Sequence, residues 1–120
     1  MKFKQKIRVA IDSPAAAGAG TQAELISKHY NLFYLDTGKI YRALAYFKLK
    51  NPKKFNYLSI KKKIKKLKIK DLRDKKLLSN EVGIVSSIIS KNKKIRKLVH
   101  NFQIRWAYYP PKKYNGSCLD

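Results

Sequence analysis

The residues most readily assigned a chemistry are 12–21, Asp-Ser-Pro-Ala-Ala-Ala-Gly-Ala-Gly-Thr. They follow an apolar run (Ile7, Val9, Ala10, Ile11) that reads as a buried strand, and they lead into a helical pattern opening at Thr21. A strand, a loop of small residues and a helix N-terminus together can cradle phosphate. Backbone N–H groups converge on the anion, and the helix dipole adds about half a positive charge. Bulky side chains would hold a phosphate away from the backbone, and this loop has none.

The phosphate-loop pattern G-x-x-x-x-G-K-[ST] is met only in part. Ser13 stands at the first Gly and Gly18 fits. Ala19 takes the place of the Lys, and Gly20 that of the hydroxyl, with Thr21 one position on. Pattern alone leaves a phosphate cradle and an ordinary strand-to-helix turn level.

The elements that must position this loop follow from periodicity. Ala23, Leu25, Ile26 and Tyr30 make an apolar stripe on a helix from Thr21 to about Tyr30, with Asn31 as its breaker. Leu32-Phe33-Tyr34-Leu35 is too short for a helix and reads as a second buried strand. Strand, helix and strand within about 30 residues form a βαβ unit, expected to be parallel with a right-handed crossover. Ligands in such sheets lie beyond the carboxyl ends of the strands. Asp12–Gly20 and Asp36-Thr37-Gly38 should therefore face one crevice.

Further on, Ile40, Ala43, Leu44 and Phe47 share a helical face that ends at Asn51-Pro52. Ile60, Ile64 and Leu67 mark an amphipathic helix with lysines outside. Leu78-Ser79-Asn80-Glu81 is a break and a new N-cap, followed by a helix carrying Val82, Val85, Ile88 and Ile89. Asn92 can cap a last helix, with Ile95, Leu98, Val99, Phe102 and Trp106 inward and Pro110-Pro111 as its stop. Ser117-Cys118-Leu119-Asp120 looks like a strand begun but not completed. Trp106, Tyr108 and Tyr109 read as core or domain-closing aromatics.

The 120 residues suffice for one small core. The formal charge of +22 suits polyanionic partners, although its Lys, Ile and Asn richness also fits a lysine-coated surface set by coding bias. The single Cys118 allows no intramolecular disulfide and suits a reducing cytoplasm. No apolar run approaches the ~20 residues of a membrane span, and the basic start lacks a signal-peptide core. His29 and His100 have no partners at ligand spacing, so no metal site is expected.

These pieces resemble the N-terminus of bacterial cytidylate (CMP/dCMP) kinases. That family typically reads IDGPA-x-x-GK-x-T at the loop and YLDTG-x-x-YRA after the second strand. Here Tyr34-Leu35-Asp36-Thr37-Gly38 and Tyr41-Arg42-Ala43 match without a gap. Glu81-Val82-Gly83, Ser86 through Ser90 and Ile95-Arg96 resemble the family's EVG-x-x-AS-x-IS…VR segment, and Cys118-Leu119-Asp120 the strand into its DGRD-x-GT motif.

The resemblance implies an α/β, P-loop kinase-like parallel sheet with flanking helices, truncated, with a helical acceptor-binding insertion. Residues 1–38 plus 92–120 would form a partial nucleotide-binding core, and the Lys-rich 39–91 the acceptor region. The reaction implied is phosphoryl transfer from ATP, with Mg²⁺, to CMP or dCMP. Ser13, Pro14, Ala15, Ala16, Ala17, Gly18, Ala19, Gly20 and Thr21 would hold the ATP phosphates. Asp36, Tyr41 and Arg42 would belong to the acceptor site, Ser87 would contact cytosine, and Arg96 would take the acceptor's phosphate or base. Singly, Asp36 also suits a helix cap and Arg42 a solvated position. A cytoplasmic protein, monomeric when full length, with no stable nucleic-acid partner and no membrane is expected.

Two departures bear on activity. Ala19 replaces the Lys that would bridge the donor phosphates, and the chain stops at Asp120 where the family continues GRD-x-GT. The 120 residues are therefore expected to be an N-terminal portion that is not a competent kinase alone. Two other functions stay open on the residues themselves. One is a nucleotide-binding remnant without catalysis. The other is binding of RNA or an anionic surface by the basic patch Lys53–Lys76.

Overall fold

The computed structural model describes residues 7–11 and 19–119. Three strands, β1 (Ile7–Ala10), β2 (Phe33–Leu35) and β3 (Gly116–Leu119), form one parallel sheet in the order β1-β3-β2. Six α-helices intervene: α1 (Ala19–Tyr30), α2 (Thr37–Lys50), α3 (Tyr57–Lys66), α4 (Ile69–Leu72), α5 (Asn80–Ile89) and α6 (Lys93–Tyr108). The architecture is thus the expected α/β one with a parallel sheet. Among the described residues no helix is long and apolar enough to cross a membrane. The chain divides into two compact units, residues 1–37 with 103–120, and residues 38–102.

In the first unit, the sheet's two faces are told apart by alternation along the strands. Cys118 and Tyr34 pair in register. Cys118 packs in one cluster with Ala23 of α1 and Leu32, and Val9, Ile11, Ile26 and Tyr34 lie against it. Phe33 and Ser117 pair on the opposite face. There the Phe33 ring meets Trp106 at 5.1 Å and Tyr114 at 5.6 Å. The buried Ser117 hydroxyl donates to the Ala107 carbonyl (2.9 Å). Asn31, at φ 54°, ends α1 in the left-handed region that Asn tolerates. Its side chain donates to the Lys113 carbonyl, and Asn115 donates back to the carbonyls of Asn31 and Tyr30. The α1–β2 turn is thereby stitched to the segment leading into β3.

The second unit is helical. Ile40, Ala43, Leu44 and Ala45 of α2 are buried, as are Ile60 and Ile64 of α3, Leu67, Leu72 and Leu77, Val82 and Ile89 of α5, and Ile95 and Val99 of α6. Local polar chemistry sets the helix starts. Asn56 and Ser59 form a reciprocal capping box on α3, and the Ser79 side chain accepts from Val82 N (3.2 Å) at α5. Asn92 Oδ1 accepts from the amides of Lys94 and Ile95 at α6, the cap its position suggests.

β1 and β2 are parallel, as expected, and β3, the strand read at Ser117–Leu119, lies between them. Other expectations from the sequence are corrected. β1 is not buried: it bonds only to β3 among the described strands, and Ile7 is 40% exposed. In α1 the buried positions are Ala23 and Ser27, whose hydroxyl donates to the Ala23 carbonyl, whereas Leu25 is 64% exposed and Tyr30 is also exposed. Ile88 of α5 points to solvent, as do Tyr108 and Tyr109. Trp106 alone of those three aromatics packs inward.

Candidate functional site

Parallel pairing fixes where the two candidate corners lie. Ala10 and Leu35 are both in register with Leu119, and Ile11 N donates to the Leu119 carbonyl (2.9 Å). The carboxyl ends of β1 and β2 thus lie level at one edge of the sheet, where α/β folds bind ligands. The chain leaves β1 there toward the small-residue loop, and leaves β2 there into Asp36.

Of the residues expected to hold donor phosphates, Ser13, Pro14, Ala15, Ala16, Ala17 and Gly18 lie outside the described residues. Ala19, Gly20 and Thr21 are the first three residues of α1. Amides in a first helical turn have no intrahelical acceptor, the feature that lets a helix start take up an anion. Asp36 is half-buried, one residue past β2 and directly ahead of α2. α2 begins at Thr37, two residues sooner than the periodicity suggests, which puts Asp36 in the N-cap position.

The other candidates all lie in the helical unit, where the structure assembles them into two pairs. Tyr41 of α2 meets Arg96 of α6. Burial raises the Tyr41 hydroxyl above its ordinary pKa, and the Arg96 guanidinium, within hydrogen-bonding reach, opposes that rise. Arg96 itself is exposed. A cation held against a half-buried phenol while open to water can still receive an anion.

Arg42 of α2 turns toward α5. Its Nη1 donates to the Leu77 carbonyl (2.8 Å), with the Ser79 carbonyl at 3.5 Å. Across from those carbonyls lies Gly83. A Cβ built there would come 3.2 Å from Arg42 Nη2 and 3.5 Å from Nη1. The planar guanidinium therefore rests on the bare backbone of α5, and Arg42 is not a freely solvated surface residue. One turn on, Ser87 is exposed and its hydroxyl donates to the Gly83 carbonyl (3.1 Å). Gly83 is thus flanked by the guanidinium of Arg42 and the hydroxyl of Ser87.

Gly83 is the residue that reading for reactive groups misses. A glycine inside a helix costs about 1 kcal/mol against Ala, which is the signal that something must approach its backbone closely. Chemically, these residues present two guanidinium groups, a phenol and a hydroxyl from three helices, α2, α5 and α6. Arg forks of this kind pair well with phosphate, and a Tyr ring can wall a flat base.

A family model for cytidylate kinase matches residues 9–112. Among curated proteins, the cytidylate kinase of Bartonella tribocorum (strain CIP 105476 / IBS 506) is 39% identical over 116 aligned residues, covering 93% of this chain and 51% of that protein. The cytidylate kinase of Rhodopseudomonas palustris (strain BisA53) is 37% identical over 113 residues, with coverages of 93% and 52%. That of Bradyrhizobium sp. (strain ORS 278) is 36% identical over 118 residues, with coverages of 93% and 51%. The chain spans about half the length of the curated relatives it matches. With the matched span running from β1 through α6, the chain belongs to the cytidylate kinase family.

Proposed function

We propose that this chain supplies the donor-phosphate corner and the acceptor site of a nucleoside monophosphate kinase that transfers the ATP γ-phosphoryl group to CMP or dCMP. The observation that carries this reading is the gathering of Tyr41 with Arg96, and of Arg42 with Gly83 and Ser87, inside one helical unit. Residues 1–38 with 92–120 take the role of the nucleotide-binding core, and 39–91, joined by Arg96 of α6, that of the acceptor region. Residues 13–21 hold the donor phosphates at the N-terminus of α1, and Asp36 stands at the same sheet edge.

In this mechanism Arg42 and Arg96 grip the acceptor's phosphate, Ser87 reads the cytosine edge, and Tyr41 walls the base. Catalysis is then positioning and charge neutralisation along an in-line path. Among the described residues no group of three or more His, Cys, Asp or Glu could hold a metal ion. Mg²⁺ would enter with ATP and would supply charge neutralisation on the transferred group. The single, buried Cys118 is in keeping with a reducing cytoplasm.

The test is ADP formation from ATP with CMP, dCMP, UMP or AMP as acceptor, on this chain and on a form completed to the length of its relatives. Cytidine-dependent ADP in the completed form supports the assignment. Its absence there, with ATP still bound, favours a nucleotide-binding protein without catalysis, the reading that Ala19 at the lysine position supports.

A further inference from the structure

We propose that the outer face of α3 is a docking surface for the phosphate backbone of single-stranded nucleic acid. At 3.6 residues per turn the exposed residues of this helix, apart from Lys63, whose ammonium lies over the Phe47 ring (5.7 Å), fall into two adjacent i, i+4 rows, Tyr57-Lys61-Lys65 and Leu58-Lys62-Lys66. Each row carries two lysines about 6 Å apart along the axis, and each is headed by an exposed apolar side chain. Tyr57 is 48% exposed and Leu58 68%.

Nothing within α3 neutralises this face, because the helix contains no acidic residue. The nearest carboxylates downstream are engaged at backbone: Asp71 accepts from Lys68 N (2.9 Å), and Asp74 accepts from Lys76 N (3.0 Å). Like charges at i, i+4 repel, so both rows destabilise the helix until a polyanion meets them. The face matches a polyanion in charge and has no charge of its own sign-pairing to satisfy it from within.

The choice of partner follows from what else the helix does. An interfacial membrane helix needs a free apolar side, and here Ile60 and Ile64 are buried within the protein. What the two rows expose is four point charges, one aromatic ring and a single aliphatic side chain, Leu58. Lysines contact phosphates without geometric selection, and a ring beside them can stack a base of any identity. A flexible single strand can follow two short rows over one ten-residue helix. The contact is salt-sensitive and independent of base sequence, and it does not rest on the kinase reading.

The experiment is fluorescence anisotropy of labelled oligouridylate of about 20 nucleotides, titrated with the 120-residue chain over a range of KCl concentrations. The variant K61Q/K62Q/K65Q/K66Q is compared with K91Q/K93Q/K94Q/K97Q, which removes the same charge from other exposed lysines. Gln keeps helix propensity, and circular dichroism checks each fold. The α3 variant should bind roughly tenfold or more weakly near 0.1 M salt, with the slope of log affinity against log salt reduced by about 3. The control variant should change affinity less than about threefold. Should the α3 variant unfold, K61Q/K65Q alone should remove about half of that slope. Equal losses in both sets would mean diffuse attraction by the whole basic chain and would overturn the proposal. So would unchanged binding in the α3 variants. Tighter binding to phosphatidylserine-containing vesicles than to oligouridylate, lost in the α3 variant, would assign the face to a membrane surface instead.

Discussion

The guanidinium of Arg42 lies on the backbone of Gly83, with the Leu77 carbonyl holding its Nη1 from the other side at 2.8 Å. A charged side chain is thereby aimed by two pieces of main chain, one offering an acceptor and the other offering room. In a site whose proposed work is gripping a phosphate, that orientation matters more than the charge alone.

Gly83→Ala separates orientation from stability. Ala in a helix interior gains up to about 1 kcal/mol over Gly, while the added Cβ presses on the guanidinium. The variant should melt at an unchanged or higher temperature and bind CMP roughly tenfold more weakly, the scale of one charge-assisted hydrogen bond. Calorimetric titration with CMP beside a thermal melt reads both. Equal CMP affinity in the two proteins would show that Gly83 does not set the aim of Arg42.

Ala19→Lys restores a cation at the start of α1, where the donor phosphates are proposed to bind. In the form completed to the length of its relatives, ADP production with CMP should rise by roughly 10²–10³-fold, the usual scale for one electrostatic contact to a reacting group. An unchanged rate would mean that another group already meets that charge.

Tyr41 gives a pH signature. Its ionisation is raised by burial and lowered by Arg96. Arg96→Gln removes the opposing cation, so the Tyr41 titration followed by ¹³C NMR of labelled tyrosine should move to still higher pH. Because the folded-state value lies above that of the unfolded chain, the contribution to stability is intact below about pH 10 and fades as pH rises past it. A downward shift in the variant would contradict the contact.

Leu44→Ala and Leu25→Ala should differ sharply although both lie on periodic apolar stripes. Leu44 is fully buried, and its truncation should cost about 2–5 kcal/mol. Leu25 is 64% exposed, and its loss should stay within about 0.5 kcal/mol. Denaturant unfolding of both variants measures the contrast.

The same pair shows where reading the sequence succeeds. On α2, α3 and α6 the apolar spacing names the buried side correctly, because each of those helices presents one broad stripe to a core. α1 defeats the method: its inward contacts are small, Ala23 and Ser27, and a buried serine that bonds its own helix looks polar in any pattern. β1 fails for another reason. The strand itself is read correctly, as β3 is, but how deeply a strand is buried depends on its neighbours, and the place of β1 beside β3 alone among the described strands is not written in its four residues. At the site, Tyr41, Arg42, Ser87 and Arg96 were legible as residue types at family spacing. Which of them touch was not, since Tyr41 and Arg42 are adjacent in sequence yet reach different helices.

The strand order carries a consequence for biosynthesis. A Cβ on Gly116 would clash with the Ile7 carbonyl oxygen, so β1 closes directly over the first residue of β3. β1 emerges from the ribosome first, yet its hydrogen-bonding mate emerges more than a hundred residues afterwards, and β2 waits for that same mate. The helical unit, whose sequence lies wholly in between, can collapse while translation continues. The nascent sheet instead has to hold two unpaired ribbons until the glycine arrives, which makes the synthesis of β3 the step on which sheet formation waits.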